Sequence, residues 1–363
     1  MNNSNSGITL LKGNEALALA AINFGVDAYF GYPITPQSEI METLVAQKPW
    51  ETTGMTVLQA ESEVAAINMV YGAAATGRRA MTSSSGPGIS LMQNGLSYLA
   101  GADLPCVVVN VMRGGPGLGT IQPSQADYYQ ATRGGGHGDY HTFVIAPASV
   151  QDMADFVSVA FNIAFKYRIP SIILADGTIG QMMEKVSIPP AQCRISSDDI
   201  PSLCPWASTG RTPDRRRNLI SSLELDPHKM EDKCLLREQR YQLIEQNEVL
   251  FEEIQCTDAE YILVAFGSSS RICMKTVDMA RSHGIRVGLL RPITLWPFPC
   301  ERLRQLATSA KGFLVVELNA GQMIDDVRLS IGNTVPVHHF GRLGGVIFTP
   351  EEVLSALKEN FKL

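Results

Sequence analysis

Four short segments hold most of the side chains able to do chemistry: Gly31-Tyr32-Pro33-Ile34-Thr35-Pro36, Gln59-Ala60-Glu61-Ser62-Glu63, Ser83-Ser84-Ser85-Gly86-Pro87-Gly88 and Arg113-Gly114-Gly115-Pro116-Gly117-Leu118-Gly119. In the first, Pro33 stiffens the approach, and Thr35 and Pro36 read as the N-cap and first residue of a helix over 37–44. The Thr35 hydroxyl either caps that helix or binds a carboxylate at its positive end, and the local pattern favours the cap. Glu61 and Glu63 stand two apart near a helix start, so they do not share a face. Such a carboxylate either suits the positive end of the helix or, if buried without a cation, accepts from a protonated ring nitrogen. Ser83–Gly88, with Ser85 inside it, reads equally as a phosphate cradle and as a tight strand-to-helix turn. Arg113, a lone cation ending an apolar strand, is a candidate clamp for a small carboxylate. The glycines after it are spaced two and two with no long apolar helix following, which speaks against a dinucleotide fingerprint and a hydride-transferring dehydrogenase. His137, Asp139 and His141 alternate in a glycine-rich stretch and would point to opposite sides, so a loop is expected and no metal is assigned to this chain.

These segments need a scaffold that brings them to one place. Apolar runs at Ala28–Gly31, Thr56–Gln59, Ala80–Ser84, Cys106–Met112, Thr142–Ala146 and Ser171–Asp176 read as strands, with helical patterns over Glu15–Phe24, Val64–Ala75, Ser90–Leu99 and Val150–Tyr167. This alternation predicts an α/β fold with a mostly parallel sheet, whose ligands bind beyond the carboxyl ends of the strands. All four segments follow a strand, so all should converge on one rim. From Arg211 to Glu253 the charge density more than doubles and strand patterns stop, which predicts a linker with one long polar helix over Lys229–Ile254. Strands resume at Glu260–Phe266, Ile285–Leu290, Gly312–Glu317 and Val335–His338, and Thr349, Pro350 and Glu352 signal a capped closing helix. The expected layout is a parallel-sheet domain over 8–188, a linker over 189–256 and a smaller α/β domain over 257–363.

Composition narrows the function classes. With 363 residues the chain has the length of two or three self-sufficient domains. A charged fraction of 18% is low, as for a surface partly covered by partner chains. The net charge of -6 offers no basic field for nucleic acid. The seven cysteines contain no close pair, so zinc ribbons and iron–sulfur runs are not expected in this chain. Met1–Gly7 has no signal-peptide pattern and no run is long enough for a membrane span, so a cytoplasmic protein is expected.

Taken together, the segments resemble the 2-oxoacid:ferredoxin oxidoreductases, specifically the subunit bearing the pyrimidine-binding domain of a thiamine diphosphate site. The resemblance rests on Gly31–Pro36 (GYPITP), Gln59–Glu63 (QAESE), Ala65–Gly72 (AAINMVYG) and Arg113–Tyr128 (RGGPGLGTIQPSQADY), and continues through Gly288–Pro299 (GLLRPITLWPFP) and Glu317–Asp326. It is strongest with the branched-chain, ketoisovalerate-type members and covers nearly the whole chain.

The resemblance implies CoA-dependent oxidative decarboxylation of a 2-oxoacid to acyl-CoA and CO2 with reduction of ferredoxin, with a branched-chain acid (3-methyl-2-oxobutanoate) expected ahead of 2-oxoglutarate or pyruvate. It implies that Glu63 serves N1′ of the aminopyrimidine, that Pro33 and Ser85 border the cofactor, and that Thr35 and Arg113 hold the substrate carboxylate beside an apolar wall at Ile34. The G-D-G segment that holds Mg²⁺ and diphosphate in thiamine enzymes does not occur here. The resemblance therefore implies a β subunit supplying that half of the site, a γ-type subunit and a ferredoxin-like iron–sulfur subunit. It also implies a transketolase-type C-terminal domain, with Ser268–Ser270 read as helix caps. A non-redox thiamine transferase and a non-catalytic scaffold are the alternatives; retention of Thr35, Glu63 and Arg113 together speaks against the scaffold.

Overall fold

A computed structural model describes residues 8–211, 213 and 215–363; the N-terminal stretch Met1–Gly7 lies outside the described residues. The strands are β1 (Thr9–Lys12), β2 (Ala28–Gly31), β3 (Thr56–Gln59), β4 (Ala80–Ser84), β5 (Cys106–Met112), β6 (Phe143–Ile145), β7 (Pro170–Asp176), β8 (Met183–Val186), β9 (Phe251–Ile254), β10 (Tyr261–Val264), β11 (Val287–Pro292), β12 (Thr294–Trp296), β13 (Gly312–Glu317) and β14 (Val337–Gly341). Among the described residues they form a seven-stranded sheet of order β12-β6-β7-β5-β4-β2-β3, a five-stranded sheet of order β14-β13-β10-β11-β9, and the antiparallel pair β1-β8.

In the larger sheet β2, β3, β4, β5, β6 and β7 run parallel, so the segments after β2, β3, β4 and β5 emerge along one edge. Every residue of β4, β5 and β7 is buried, which is why these strands read as unbroken small or apolar runs. Helix Gly13–Phe24 packs on Val150–Tyr167, where Phe24 stacks on Phe161. Helix Glu63–Ala75 packs on Pro87–Gly101, where Gly95 lets the backbone approach Ile67 closely.

Two expectations need correcting. The polar helix spans Pro227–Asn247 and stops; residues 251–254 are β9, antiparallel to β11 at the edge of the second sheet. The reason is tertiary: Arg291 of β11 pairs with Glu252, and Arg302 holds Glu253. Nor is the helix a free spacer. Arg237 and Arg240 both reach Asp103, Arg240 also donates to the Tyr167 carbonyl, and Glu248 takes Lys166, so the helix is strapped along the first domain.

The two sheets also exchange a strand. β12 follows β11 directly yet leaves the second sheet to pair antiparallel with β6 of the first. Trp296 at its end stacks on His141 with ring centroids 4.6 Å apart, and Tyr241 meets both rings edge-on. One hydrophobic cluster accordingly runs through both domains.

Candidate active site

The glutamates at the end of β3 have opposite fates. Glu61 is exposed, whereas Glu63, the first residue of helix Glu63–Ala75, is buried. Ser62 holds the N-cap, its hydroxyl accepting from the Ala65 amide at 3.2 Å, so the helix begins at residue 63. The Glu63 carboxylate receives no hydrogen bond or ion pair from any described residue and lies against the Cα of Gly88. A Cβ at position 88 would stand 2.5 Å from Glu63 Oε1 and 2.1 Å from Ser84 Oγ. Glycine 88 therefore admits a carboxylate, which decides part of the Ser83–Gly88 question: the turn is tight because Glu63 fills its hollow. Ser85 is fully buried, and both Ser84 Oγ and Ser85 Oγ are without partners.

Arg113 stands over the other end of the same turn, with Nε 3.3 Å from where a Cβ of Gly86 would be. Its Nη1 donates to the Thr35 carbonyl at 3.0 Å and Nη2 to the Leu118 carbonyl at 3.0 Å, while Nε is buried and unpartnered. The guanidinium thus keeps N–H groups without protein acceptors, the kind of donor a carboxylate takes. A cavity of about 560 Å³ opens here between the Arg113 loop and the start of helix Pro87–Gly101, lined among others by Pro87, Leu91, Pro116 and Asp127, with Arg113 its one cation among the described residues. A larger cavity of about 740 Å³ lies away from this turn, beside Trp296 and Cys300.

Thr35 is exposed, Ile34 half-buried and Pro33 exposed. Thr35 is not an N-cap. Residues 34–37 make a turn closed by the Gln37 amide donating to the Ile34 carbonyl, and the helix begins at Ser38 behind Gln37. Contacts from elsewhere impose that turn: Asn14 and Gln181 both donate to the Pro36 carbonyl, at 2.7 and 2.8 Å, and the Gln37 side chain is tied to Tyr32 and Ser83. Its hydroxyl is therefore not committed to capping.

Sequence reasoning missed Asp127 in the cavity wall. Burial raises its carboxyl above the ordinary range, against the opposing pull of the Asn110 amide, 3.0 Å away, and of Arg113. It also missed Asn14, Gln37 and Gln181, which shape the first segment; they sit in helices and a helix end with no motif around them.

At one rim of a parallel sheet, then, stand a buried glutamate without a protein partner, two buried serine hydroxyls and an arginine, and a second α/β domain follows. A split-gene transketolase shares the fold, with a TM-score of 0.59 and 13% identity over 97% of this chain and 99% of that one. The profile of the pyruvate flavodoxin/ferredoxin oxidoreductase thiamine-diphosphate-binding domain matches residues 19–207, and that of pyruvate:ferredoxin oxidoreductase core domain II matches residues 259–353. The chain belongs to this 2-oxoacid:ferredoxin oxidoreductase family. It is 48% identical to the ketoisovalerate oxidoreductase subunit VorB of Methanothermobacter marburgensis, over 96% of this chain and 97% of that one. Identity to the 2-oxoglutarate synthase subunit KorA of the same organism is 35%, again over 96% and 97%. The 2-oxoglutarate:ferredoxin oxidoreductase from Magnetococcus marinus, solved with 2-oxoglutarate, coenzyme A and succinyl-CoA bound, superposes with a TM-score of 0.85 at 26% identity, over 97% of this chain and 65% of that one. Among the described residues, no helix is long and apolar enough to cross a membrane.

Proposed function

We propose that this chain is the pyrimidine-side subunit of a 2-oxoacid:ferredoxin oxidoreductase that converts a branched-chain 2-oxoacid, CoA and oxidised ferredoxin to acyl-CoA, CO2 and reduced ferredoxin. The observation that carries this reading is the buried Glu63 carboxylate, left without a protein partner beside two orphan serine hydroxyls. A carboxylate on a buried residue with no partner in its own chain is free to accept from a ligand's N–H group.

Thiamine diphosphate, when bound, supplies a nucleophilic thiazolium carbon and an aminopyrimidine that needs an acidic neighbour at N1′. Glu63 would accept from the protonated N1′ of that ring, favouring the tautomer whose 4′ nitrogen can take up a proton. Ser85 and Pro33 would border the ring. Arg113, through its free N–H groups, and Thr35, through its uncommitted hydroxyl, orient the substrate carboxylate and stabilise its charge until CO2 leaves. Ile34 forms the apolar side. Among the described residues the cavity holds a single cation, Arg113, with Asp127 also in its wall, which favours a substrate with one carboxylate over a dicarboxylate such as 2-oxoglutarate. The stronger likeness to a ketoisovalerate oxidoreductase subunit than to 2-oxoglutarate synthase subunits supports the same choice.

A β chain binding diphosphate and Mg²⁺, a γ-type chain and a ferredoxin-like iron–sulfur chain complete the enzyme. Val64 beside Glu63, Leu91 in the cavity wall and Leu118 on the Arg113 loop are exposed apolar side chains, a surface such a chain would cover. The test is Glu63→Gln in the reconstituted complex. Oxoacid- and CoA-dependent reduction of a viologen dye should fall by about a hundredfold or more while the subunits still co-purify. Full retention of dye reduction refutes the reading, and a panel of 2-oxoacids on the parent complex tests the substrate choice.

A further inference from the structure

We propose that Gln125 is a positioning residue through which the C-terminal domain sets the place of Arg113, so that this domain shapes the substrate site as well as the assembly. The inference rests on the reading of Arg113 as the substrate-carboxylate clamp. The loop that begins at Arg113 folds back on itself: Arg113 bridges Pro123, the Gly114 amide donates to the Gln122 carbonyl at 2.9 Å, and the Thr120 amide donates to the Gly114 carbonyl at 2.8 Å. Whatever holds residues 122–125 therefore holds Arg113.

That hold comes from the other domain. The Gln125 amide donates to the Leu318 carbonyl, and the Gln125 carbonyl accepts from Asn319 Nδ2. Its side-chain Oε1 accepts from Ser269 Oγ at 2.8 Å and from the Leu318 amide at 3.0 Å. Nε2 donates to the Phe266 carbonyl at 2.9 Å and to Asp176 at 3.3 Å. Asp176 in turn accepts from the amides of Thr178 and Ile179 of the first domain and of Ser268 of the second. Ser269 is thus a domain contact and no cap. Gln125 is wholly buried, and both its acceptor positions and both its donors are matched. A buried side chain satisfied in this way fixes geometry, because any shift leaves several polar groups unpaired at once. Its partners follow β10 and β13, so the rim of the second sheet grips the loop that feeds the rim of the first. Gly267 completes the fit: at φ 55° it stands where a Cβ would come within 2.6 Å of Asp176 and 2.8 Å of Gln125.

The test uses the reconstituted complex with 3-methyl-2-oxobutanoate and CoA. Gln125→Ala should raise KM for the oxoacid by about tenfold or more, with kcat within about threefold and KM for CoA unchanged. In an Arg113→Gln background the same change should add nothing, as expected of two residues acting in series. An oxoacid KM within about twofold of the parent, or an equal rise in both backgrounds, overturns the proposal. If the Gln125→Ala complex does not assemble, Ser269→Ala removes one bond to Gln125 without touching the loop; a rise of about two- to fivefold that vanishes in the Arg113→Gln background supports it, and no rise overturns it. Arg271→Gln breaks a different interdomain pair, with Glu184. It should leave the oxoacid KM alone, and a rise matching that of Gln125→Ala would reduce the effect to general loosening and overturn it. An Arg113→Gln complex with unaltered oxoacid KM defeats the clamp reading itself, whereas an altered one beside an indifferent Gln125→Ala defeats only the coupling.

Discussion

Gly88→Ala adds one methyl group at the point where the candidate site is tightest. The new Cβ would lie 2.1 Å from Ser84 Oγ, 2.5 Å from Glu63 Oε1 and 3.0 Å from Glu63 Cδ. Ordinary carbon–oxygen contact begins near 3.4 Å, so the Glu63 carboxylate must retreat by about 1 Å. Ser84 can turn away about its χ1 angle; Glu63, buried at the first turn of its helix, has to move its carboxylate or its helix. The backbone itself offers no objection, since Gly88 does not have a positive φ, and alanine is the better helix former by up to about 1 kcal/mol. Stability should therefore fall by only about 1–2 kcal/mol, the overpacking cost less the propensity gain. Activity should fall far more, because misplacing a catalytic group by about 1 Å costs about a hundredfold. The assay is dye reduction dependent on 2-oxoacid and CoA in the reconstituted complex, read beside a thiamine diphosphate titration and the melting temperature of the isolated chain. A Gly88→Ala complex with parental kcat and parental cofactor affinity would refute the argument that Glu63 is held at a working distance by this contact.

Two further outcomes concern the scaffold. Burial raises the Glu39 carboxyl, but hydrogen bonds from its own backbone, Gln181, Asn14 and Lys12 outweigh that and bring it below the ordinary 4.5. The unfolded chain then takes up the proton more readily, so Glu39 contributes stability above about pH 4.5 that is lost as pH falls through the folded value. Urea unfolding of Glu39→Gln at successive pH values should show a shallower loss as pH falls below about 4.5 towards the folded value, and a slope equal to the parent's there would count against this account. Asp103→Asn keeps the shape and the tolerance for the positive φ of 53° but removes the charge facing Arg237 and Arg240. With Arg237 buried, a loss of about 1–3 kcal/mol and earlier proteolytic cutting near helix Pro227–Asn247 are expected, and an unchanged melting temperature would show the strap to be dispensable.

The amino-acid order by itself determined the six parallel strands of the first sheet, the long helices between them and the segments after them, because those signals are local; β1, β8 and the short helices were not read. The seven consecutive buried positions of β5 read as an unbroken apolar run but for Asn110, and Thr349 with Glu352 forms the expected capping box. The parallel order of β3, β2, β4 and β5 then delivers the loops to one rim, as in any such sheet. What local signals left open is whatever two distant stretches settle between them. Which of Glu61 and Glu63 turns inward depends on how helix Glu63–Ala75 meets Gly88, and Thr35 lost its capping role because Asn14 and Gln181 hold the neighbouring carbonyl. β9 is a strand because Arg291 and Arg302 are there to receive its glutamates, and β12 crosses to the first sheet to meet β6 and His141. Gln125 carries no motif at all; its meaning comes from Leu318, Ser269 and Asp176, which only the folded chain brings within hydrogen-bonding distance.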